Sequence, residues 1–318
     1  MRTRRSTSSS DPVARNPSTV LGASRHRPVL LHEAIDSLNI QPDDAVVDAT
    51  LGGAGHALAI VGKLGERGVF VGFDLDEDAI ERSREALTGA GCRVHLVHAN
   101  FRHLVNELQK IGVTKITKAL FDLGWSSYQL DSGRGFSFLR DEPLTMTYTR
   151  SPALVTAAVI VNEWAEESIA DIIFGFGEER YSRRIARAIV ERREIRPFTT
   201  SLELADLIKA SVPPGYRHGR IHPATRTFQA LRIAVNDELG ALNDGLQQAL
   251  EMLAPDGRIA VITFHSIEDR AVKQLFAGWE KDGAGKRVNK KLIVPSIEEV
   301  AQNPRSRSAK LRVFEKIS

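Results

Sequence analysis

Cysteine and long apolar runs are nearly absent from this sequence of 318 residues. There is one cysteine, Cys92, so an internal disulfide is excluded, and a single thiol cannot form a zinc site by itself. No apolar stretch approaches the roughly 20 residues of a membrane-spanning helix, which predicts a soluble chain. The hydrophobic content of 42% and the charged content of 26% are typical of a globular protein with a full core.

A glycine turn between a predicted strand and a predicted helix is the most informative stretch. Residues 45–56 read AVVDATLGGAGH, an apolar strand that runs into glycines and then into a helix. Glycine lets the backbone turn tightly and approach a ligand, and the helix start offers free N–H donors. A second apolar strand, Gly68–Asp74, ends in a carboxylate about twenty residues later, the spacing at which an acid reaches a ribose. The pair predicts a nucleoside pocket at the edge of a parallel sheet.

The turn lacks the features that bind a pyrophosphate. Leu58 stands where the dinucleotide fingerprint has its third glycine, which disfavours a nicotinamide-dependent dehydrogenase. No Gly-Lys-Ser/Thr follows, so a P-loop is excluded. A nucleoside without a pyrophosphate fits better, and S-adenosylmethionine is the common cofactor of that kind. Glycines also occur at such turns where no ligand binds, so the turn alone leaves both readings open.

Apolar segments that end in polar residues alternate with helical segments. The predicted strands Cys92–Val97 and Lys118–Leu123 continue the pattern, and Arg258–Phe264 and Ala309–Glu315 add two more near the C-terminus. This alternation predicts an α/β fold with a parallel sheet, right-handed crossovers and ligands at the carboxyl ends of the strands. The residues at those ends are Asp48, Asp74, Asn100, Phe101 and Asp122.

The alternation stops between residues 125 and 222, where we predict a helical insertion. Its helix Glu178–Arg193 is amphipathic, with a basic stripe that contains Arg184 and Arg187. Such a stripe is either a solvated face or a contact for nucleic acid. We predict that Arg184, Arg187 and the basic loop Lys286–Lys291 lie along RNA phosphates.

Composition and periodicity predict the structure of two further segments. Residues 1–25 are rich in Ser, Thr and Arg and poor in apolar side chains, which predicts a disordered tail. An organelle transit peptide has a similar composition, but the apolar face that it requires is thin here. Beyond the insertion, the apolar repeat from Phe228 to Leu250 predicts one long helix that packs on the sheet.

Several blocks of the sequence, in one order, resemble the RsmH (MraW) methyltransferase family. The resemblance extends from about residue 26 to the C-terminus. Members of this family methylate the N4 amine of a cytosine in the decoding centre of small-subunit ribosomal RNA. The matching blocks are His26–Glu33, Asp48–His56, Asp122–Asp131, Arg134–Phe138, Gly177–Tyr181, His222–Ile233, Phe264–Arg270 and Asn303–Ser308.

The resemblance implies a Rossmann-like, S-adenosylmethionine-dependent methyltransferase sheet formed by residues 26–124 and 223–318. It also implies that residues 125–222 form a helical insertion that recognises the substrate. The implied partner is the small ribosomal subunit with its 16S RNA, in the cytoplasm, with no role for DNA, a membrane or a metal ion; the oligomeric state stays open. The implied cofactor contacts are Ala54, Gly55, His56, Asp74, Phe101, Asp122 and Gln129.

Two places depart from the family pattern. Where the family usually has Leu-Asp-Met-Arg-Met-Asp, residues 144–149 read LTMTYT, so two acids and an arginine are missing. Trp125 and Tyr128 stand where a small aliphatic residue and a proline are commoner. Both places surround the expected target pocket, which leaves an alternative function: a ribosome-assembly factor that binds cofactor and RNA without turnover. A DNA amine methyltransferase is disfavoured because residues 122–125 read DLGW instead of the D/N-P-P-Y/F/W tetrapeptide.

Methyl transfer to a cytosine amine requires in-line geometry more than a strong base. The amine lone pair is delocalised into the ring, so an acceptor that hydrogen-bonds the N–H favours a more nucleophilic nitrogen. We predict that Asp122 is this catalytic acceptor; the alternative is that it contacts only the cofactor. The target base must be unstacked to enter such a pocket, and Trp125 or Tyr128 either stacks on it or packs against the insertion.

Overall fold

A computed structural model describes residues 27–124, 130, 132–149, 155–289 and 291–317. Its centre is a seven-stranded sheet with the order β3-β2-β1-β4-β5-β7-β6. Strands β1 to β5 run parallel, whereas β7 is antiparallel to β5 and to β6. The strands are β1 (Ala45–Asp48), β2 (Val69–Asp74), β3 (Arg93–His98), β4 (Ile116–Asp122), β5 (Leu253–Thr263), β6 (Gly285–Arg287) and β7 (Lys310–Lys316).

Helices cover both faces of the sheet, and a separate group of helices forms the insertion. The helices beside the sheet are Leu31–Leu38, Gly55–Val61, Glu77–Ala86, Leu104–Lys110, Glu238–Met252, Ser266–Lys281 and Ile297–Gln302. The insertion and the segment after it contain Ala157–Glu163, Glu166–Gly177, Ser182–Ile195, Ser201–Ser211, Pro214–Arg217 and Thr225–Asn236. Short 3₁₀ turns occupy Phe101–His103 and Pro304–Ser308.

The central parallel strands β1, β2 and β4 are buried on both faces, which explains their mostly apolar sequences, whereas the edge strand β3 is only partly buried. Val46 packs into the core on one face of the sheet, and its neighbour Val47 packs into the core on the other. The register pairs Asp48 with Gly72, Asp74 with His98 and Asp122 with Ile262. The carboxyl ends of β1 to β5 therefore meet along one edge of the sheet, as the alternation predicted.

The insertion has an apolar core of its own. Buried isoleucines from its helices meet there, among them Ile160, Ile173, Ile185 and Ile208. The helix Ser201–Ser211 begins after Thr200, which forms a capping box with Glu203. The predicted tail 1–25 and the residues Trp125, Tyr128 and Gln129 lie outside the described ranges. Within those ranges, no helix is both long enough and apolar enough to cross a membrane.

The prediction of one long helix on the sheet is wrong. Asp237 takes a left-handed conformation with φ of 47° and separates Thr225–Asn236 from Glu238–Met252. Phe228 and Leu231 pack in the core of the insertion, whereas Leu242 and Leu246 pack on the sheet. The apolar repeat continues in phase across the break, so periodicity alone could not reveal it.

Two other boundaries also differ from the prediction. The basic helix begins at Ser182, because Glu178 ends the preceding helix in a left-handed conformation with φ of 50°. The segment predicted as a basic loop contains the strand β6, which is 3 residues long and pairs only with β7. A strand this short has too few residues to show an alternating pattern.

Candidate functional site

The glycine turn after β1 is held against β2 by close backbone contacts. The amide of Leu51 donates to the carbonyl of Phe73 at 3.0 Å, and the amide of Ala54 donates to that of Leu51 at 2.8 Å. Gly52 and Ala54 have φ of 50° and 61°, in the left-handed region that favours glycine. A Cβ at Gly72 on β2 would lie 2.5 Å from the Leu51 side chain. The turn therefore depends on a side-chain-free position on the neighbouring strand.

The Asp74 side chain joins the glycine turn to the segment after β2. Its Oδ2 accepts a hydrogen bond from the Gly52 amide at 2.8 Å, and its Oδ1 accepts one from the Asp76 amide at 2.9 Å. Burial raises the pKa of Asp74 above its ordinary value. The carboxylate thus lies beside the glycine turn, where the sequence predicted the ribose contact.

Phe101 is held in one orientation at the end of β3. Its ring meets Phe121 edge-on, with centroids 5.5 Å apart and an interplanar angle of 86°. A Cβ at Gly245 would come within 2.5 Å of the Phe101 ring, so this glycine makes room for it. Asn100 starts the 3₁₀ turn by accepting a hydrogen bond from the Arg102 amide at 3.0 Å. A fixed aromatic face beside the ribose carboxylate is suited to an adenine.

Asp48 lies beneath the turn and is 1% exposed. Its Oδ1 accepts from the Thr50 amide at 3.1 Å, while its Oδ2 has no hydrogen-bond partner among the described residues. Burial raises the pKa of Asp48 to about 6, and the nearby Asp122 and Asp74 add to this increase. The Oδ2 atom is itself buried, so Asp48 supports the turn from beneath without reaching the surface of the protein.

His56 and Asp122 meet on the other side of Asp48. The His56 Nε2 lies 3.1 Å from the carbonyl of Val29, which can only accept, so this nitrogen carries the proton. The His56 Nδ1 lies 3.5 Å from the Asp122 Oδ2. Burial lowers the pKa of His56, which favours the neutral ring. The Asp122 amide donates to the Thr50 hydroxyl at 2.7 Å, and the Asp122 Oδ1 accepts from the Gly124 amide at 3.2 Å.

These elements surround one open cleft of about 1080 Å³ at the carboxyl edge of the sheet. Of the predicted site residues, Gly55, His56, Asp74, Phe101 and Asp122 line it. Ala54 is buried under the turn and shapes the backbone instead, and Gln129 lies outside the described ranges. Four polar residues also line the cleft: Tyr148, from the segment 144–149 that was expected to surround the target pocket, and Asn236, Glu238 and Glu268, which were not predicted as site residues. The polar stripe of the helix Thr225–Asn236 was the available signal.

Replacing Asp48 by asparagine is expected to remove a pH-dependent cost of folding. Between pH 3.8 and about 6 the folded carboxyl is protonated and the unfolded one is ionised, so raising the pH favours unfolding. The increase in pKa from 3.8 to about 6 corresponds to roughly 3 kcal/mol at higher pH. Urea unfolding of the cofactor-free protein at several pH values measures this.

The free energy of unfolding of Asp48→Asn, minus that of wild type, should increase from pH 4 to pH 6 and then level off. Asp282→Asn, at an exposed position, serves as the control. Parallel curves for wild type and Asp48→Asn would contradict the assignment.

Sheet order, turn and cleft together define a class of protein. A carboxylate beside the glycine turn and an aromatic face after β3 fit the ribose and the adenine of S-adenosylmethionine. The fold is that of a Rossmann-like, S-adenosylmethionine-dependent methyltransferase, which confirms the predicted fold class and cofactor.

The chain belongs to the MraW methylase family, whose model matches residues 23–317. The curated relatives include a protein named ribosomal RNA small subunit methyltransferase H from Brevibacillus brevis, 46% identical over 92% of this chain and 98% of the relative. Proteins of the same name from Paenibacillus sp. and Clostridioides difficile are 48% and 46% identical, and each alignment covers 92% of this chain and 99% of the relative. A solved rRNA methylase from Streptococcus thermophilus, 13% identical, covers 93% of this chain and 100% of its own with a TM-score of 0.45, too distant to add to the assignment.

Proposed function

We propose that this protein transfers a methyl group from S-adenosylmethionine to the N4 amine of a decoding-centre cytidine in 16S ribosomal RNA of the small subunit, in the cytoplasm. The observation that carries the proposal is the position of Asp122. It lies at the end of the central strand β4, between the cofactor residues of β1 to β3 and the polar side chains near β5. The names of the curated relatives support the RNA substrate.

Asp122 is placed to receive a proton from an amine. When bound, S-adenosylmethionine supplies an electrophilic methyl group on a sulfonium sulfur. The amine nitrogen forms the new N–C bond as the S–C bond breaks, and the amine then loses one proton. The Asp122 carboxylate, beside a neutral His56, can accept a hydrogen bond from the N–H and take that proton. The cleft residues on both sides of Asp122 supply the orientation that the weak nucleophile needs.

The segment that departs from the family pattern is ordered by its own hydroxyls. The Thr145 hydroxyl donates to the Arg134 carbonyl at 2.9 Å, and the Thr147 hydroxyl donates to the Thr149 carbonyl at 3.0 Å. Arg134 in turn donates to the Tyr148 carbonyl at 2.6 Å. These hydrogen bonds order the backbone of the segment without the two acids and the arginine that the family usually has there. An ordered segment favours an active enzyme over an assembly factor without turnover.

The deciding experiment is methyl incorporation from labelled S-adenosylmethionine into purified small subunits, with free DNA in a parallel reaction. We expect N4-methylcytidine in the nucleoside digest of the subunit RNA and none in the DNA. Binding of the cofactor without incorporation would instead support the assembly-factor alternative.

Exposed arginines at two places are proposed to contact RNA phosphates. Arg184 and Arg187 lie in the first turns of the helix Ser182–Ile195. Arg305 and Arg307 lie just before Lys310, which pairs with Thr263 at the cleft edge of β5. The predicted contact at Lys286 has less support, because Lys286 pairs with Glu315 near the opposite edge of the sheet.

Replacing both arginines of either pair by alanine should weaken subunit binding and flatten its dependence on salt. Each lost phosphate contact reduces the slope of log K against log salt by about 0.7 to 0.9. Filter binding at several salt concentrations measures the slope. Arg67→Ala is the control, because Arg67 precedes β2 at the opposite edge and pairs with Asp43. Unchanged slopes in both double variants would refute the assignment.

A further inference from the structure

A second polar cluster forms the end of the cleft that lies away from Asp74. It consists of Tyr148, Arg232, Glu238, His265 and Glu268, and we call it the Glu238 cluster. Four elements contribute to it: the segment before the insertion helices, the two helices that Asp237 separates, and the start of the helix after β5. Tyr148, Glu238 and Glu268 line the cleft itself.

Arg232 holds the Glu238 carboxylate in one orientation. The Arg232 side chain is 5% exposed, its Nη2 donates to the Glu238 Oε2 at 2.8 Å, and its Nε lies 2.6 Å from the Glu238 Oε1. This side-on arrangement of guanidinium and carboxylate fixes both the position and the plane of the carboxylate. The carboxylate therefore needs no reorganisation when a ligand arrives.

Tyr148 completes the support of Glu238 from the side of the insertion. Its hydroxyl donates to the Glu238 Oε1 at 2.7 Å, and burial raises the pKa of Tyr148 well above its ordinary value, so the hydroxyl keeps its proton. The ring stacks on Phe136 with centroids 5.8 Å apart. The Tyr148 amide donates to the Asn236 Oδ1 at 2.9 Å. This tyrosine stands where the family usually has a methionine, which has no hydroxyl to donate.

The remaining hydrogen-bond capacity of the cluster is concentrated on Glu238. The Glu268 Oε2 accepts from the amides of Phe264 and His265, at 2.9 and 3.3 Å, and its Oε1 lies 2.9 Å from the His265 Nε2. Among the residues that the structure describes, the Glu238 Oε2 accepts one hydrogen bond, from Arg232, and a carboxylate oxygen can accept two.

Glu238, His265 and Glu268 also bring three possible metal ligands within 4.8 Å of one another. The Arg232 Nη2, however, lies 2.8, 3.4 and 4.0 Å from their nearest atoms, so a guanidinium already supplies the positive charge there. The cluster is therefore an oriented carboxylate supported by a resident cation, and not a metal centre.

The order of the strands separates the two ligands of the cleft. The ribose carboxylate Asp74 and the adenine face Phe101 follow β2 and β3, on one side of the central strands. The Glu238 cluster includes His265 and Glu268, which follow β5, and Asp122 at the end of β4 lies between β5 and the strands of the cofactor residues. Asp237, next to Glu238, pairs with Arg102 after β3, so the helix Glu238–Met252 extends from the Glu238 cluster to Phe101. A methyl acceptor must approach the sulfonium from the side that the cofactor leaves open, and the end of the cleft formed by Glu238 and the residues after β5 is left for it.

We propose that Glu238, oriented by Arg232 and Tyr148, forms the acceptor-base subsite and accepts a hydrogen bond from the exocyclic amine of the target cytosine. This inference rests on the proposed function and adds the group that selects the base. A carboxylate pairs with the N4 amine of cytosine, whereas uracil presents its O4 acceptor there and is repelled. The amine has two N–H bonds, so Glu238 and Asp122 can each accept one. Glu238 contacts the substrate, and Arg232 and Tyr148 are positioning residues.

The test compares small subunits that carry cytidine or uridine at the methylated position, bound in the presence of S-adenosylhomocysteine. Wild type should prefer cytidine by roughly 10-fold. Glu238→Gln should lose most of this preference, because its amide can donate to O4, and its kcat for methyl transfer should fall at least 10-fold. Tyr148→Phe, which removes only the hydroxyl, should lose part of the preference. Cofactor affinity should change less than about 2-fold in both, since neither residue lies on the cofactor side.

Glu251→Gln is the matched control, because Glu251 is exposed on the same helix, Glu238–Met252. Glu238→Asp keeps a negative charge beside Arg232, so it should fold like wild type and controls for a folding defect. It should still lose the preference for cytidine. If wild type methylates the subunits but Glu238→Gln and Glu238→Asp retain the wild-type preference, this inference alone is overturned. If wild type fails to methylate the subunits, the proposed function and this inference both fail.

Discussion

An asparagine at position 122 is expected to lower kcat for methyl transfer by about 10²- to 10³-fold. Asparagine has nearly the shape of aspartate, so the hydrogen bonds of its backbone to Thr50 and of its Oδ1 to the Gly124 amide can persist. The variant lacks the negatively charged oxygen beside His56 that accepts a hydrogen bond from the amine and then takes its proton. Rapid single-turnover measurements with a saturating cofactor report this loss on the chemical step.

Cofactor affinity distinguishes the two roles considered for Asp122. A calorimetric Kd for S-adenosylmethionine that stays within a few-fold of wild type, together with the fall in kcat, supports the role as acceptor. Full turnover with unaltered cofactor affinity would falsify it, and a large loss of affinity with normal kcat would leave Asp122 as a cofactor contact only. Asp256→Asn, at an exposed position with φ of 59° that asparagine tolerates, is the control.

Removal of the Asp74 carboxylate should weaken binding of S-adenosylmethionine by roughly 100-fold. Hydrogen bonds from ribose hydroxyls to a carboxylate contribute about 1.5 to 3 kcal/mol each, and a loss near 3 kcal/mol corresponds to about 100-fold in Kd. Asp74→Ala also releases the Gly52 and Asp76 amides, which loosens the turn before any cofactor arrives. Titration calorimetry with the cofactor and with S-adenosylhomocysteine measures the effect.

Asp74→Asn separates the two contributions to this loss. Its side chain retains one acceptor oxygen, so we expect an intermediate loss of affinity. Glu85→Ala, at an exposed position on the helix Glu77–Ala86, should bind like wild type. If Asp74→Ala kept wild-type affinity for both ligands, the ribose contact would have to be assigned elsewhere.

The cofactor half of the cleft was predictable because its signals are local. Asp48 and the glycines that follow it are neighbours in the sequence, and the acid Asp74 stands at the end of the next strand. Strands buried on both faces must be mostly apolar, so β1, β2, β4 and the second half of β5 were visible as such. Parallel strands then bring their polar ends to one edge whatever the details of packing, and this places Asp122 beside the turn.

The acceptor half of the cleft was not predictable in the same way. Tyr148 and Glu238 are 90 positions apart and meet only because Asp237 breaks the helix and directs its two parts to different cores. The sequence placed Arg232 on a polar helix stripe, the usual mark of a solvated face, but the tertiary structure buries it.

By itself, then, the sequence determined the parallel sheet, its glycine turn and the carboxylate Asp74 beside that turn. These follow from periodicity and from the backbone requirements of neighbouring residues. Only the tertiary structure decided which side chains meet at the far end of the cleft, where it brings Tyr148, Arg232 and Glu238 together. Those contacts join distant parts of the chain, and their formation depends on how two separate cores pack, which no local pattern encodes.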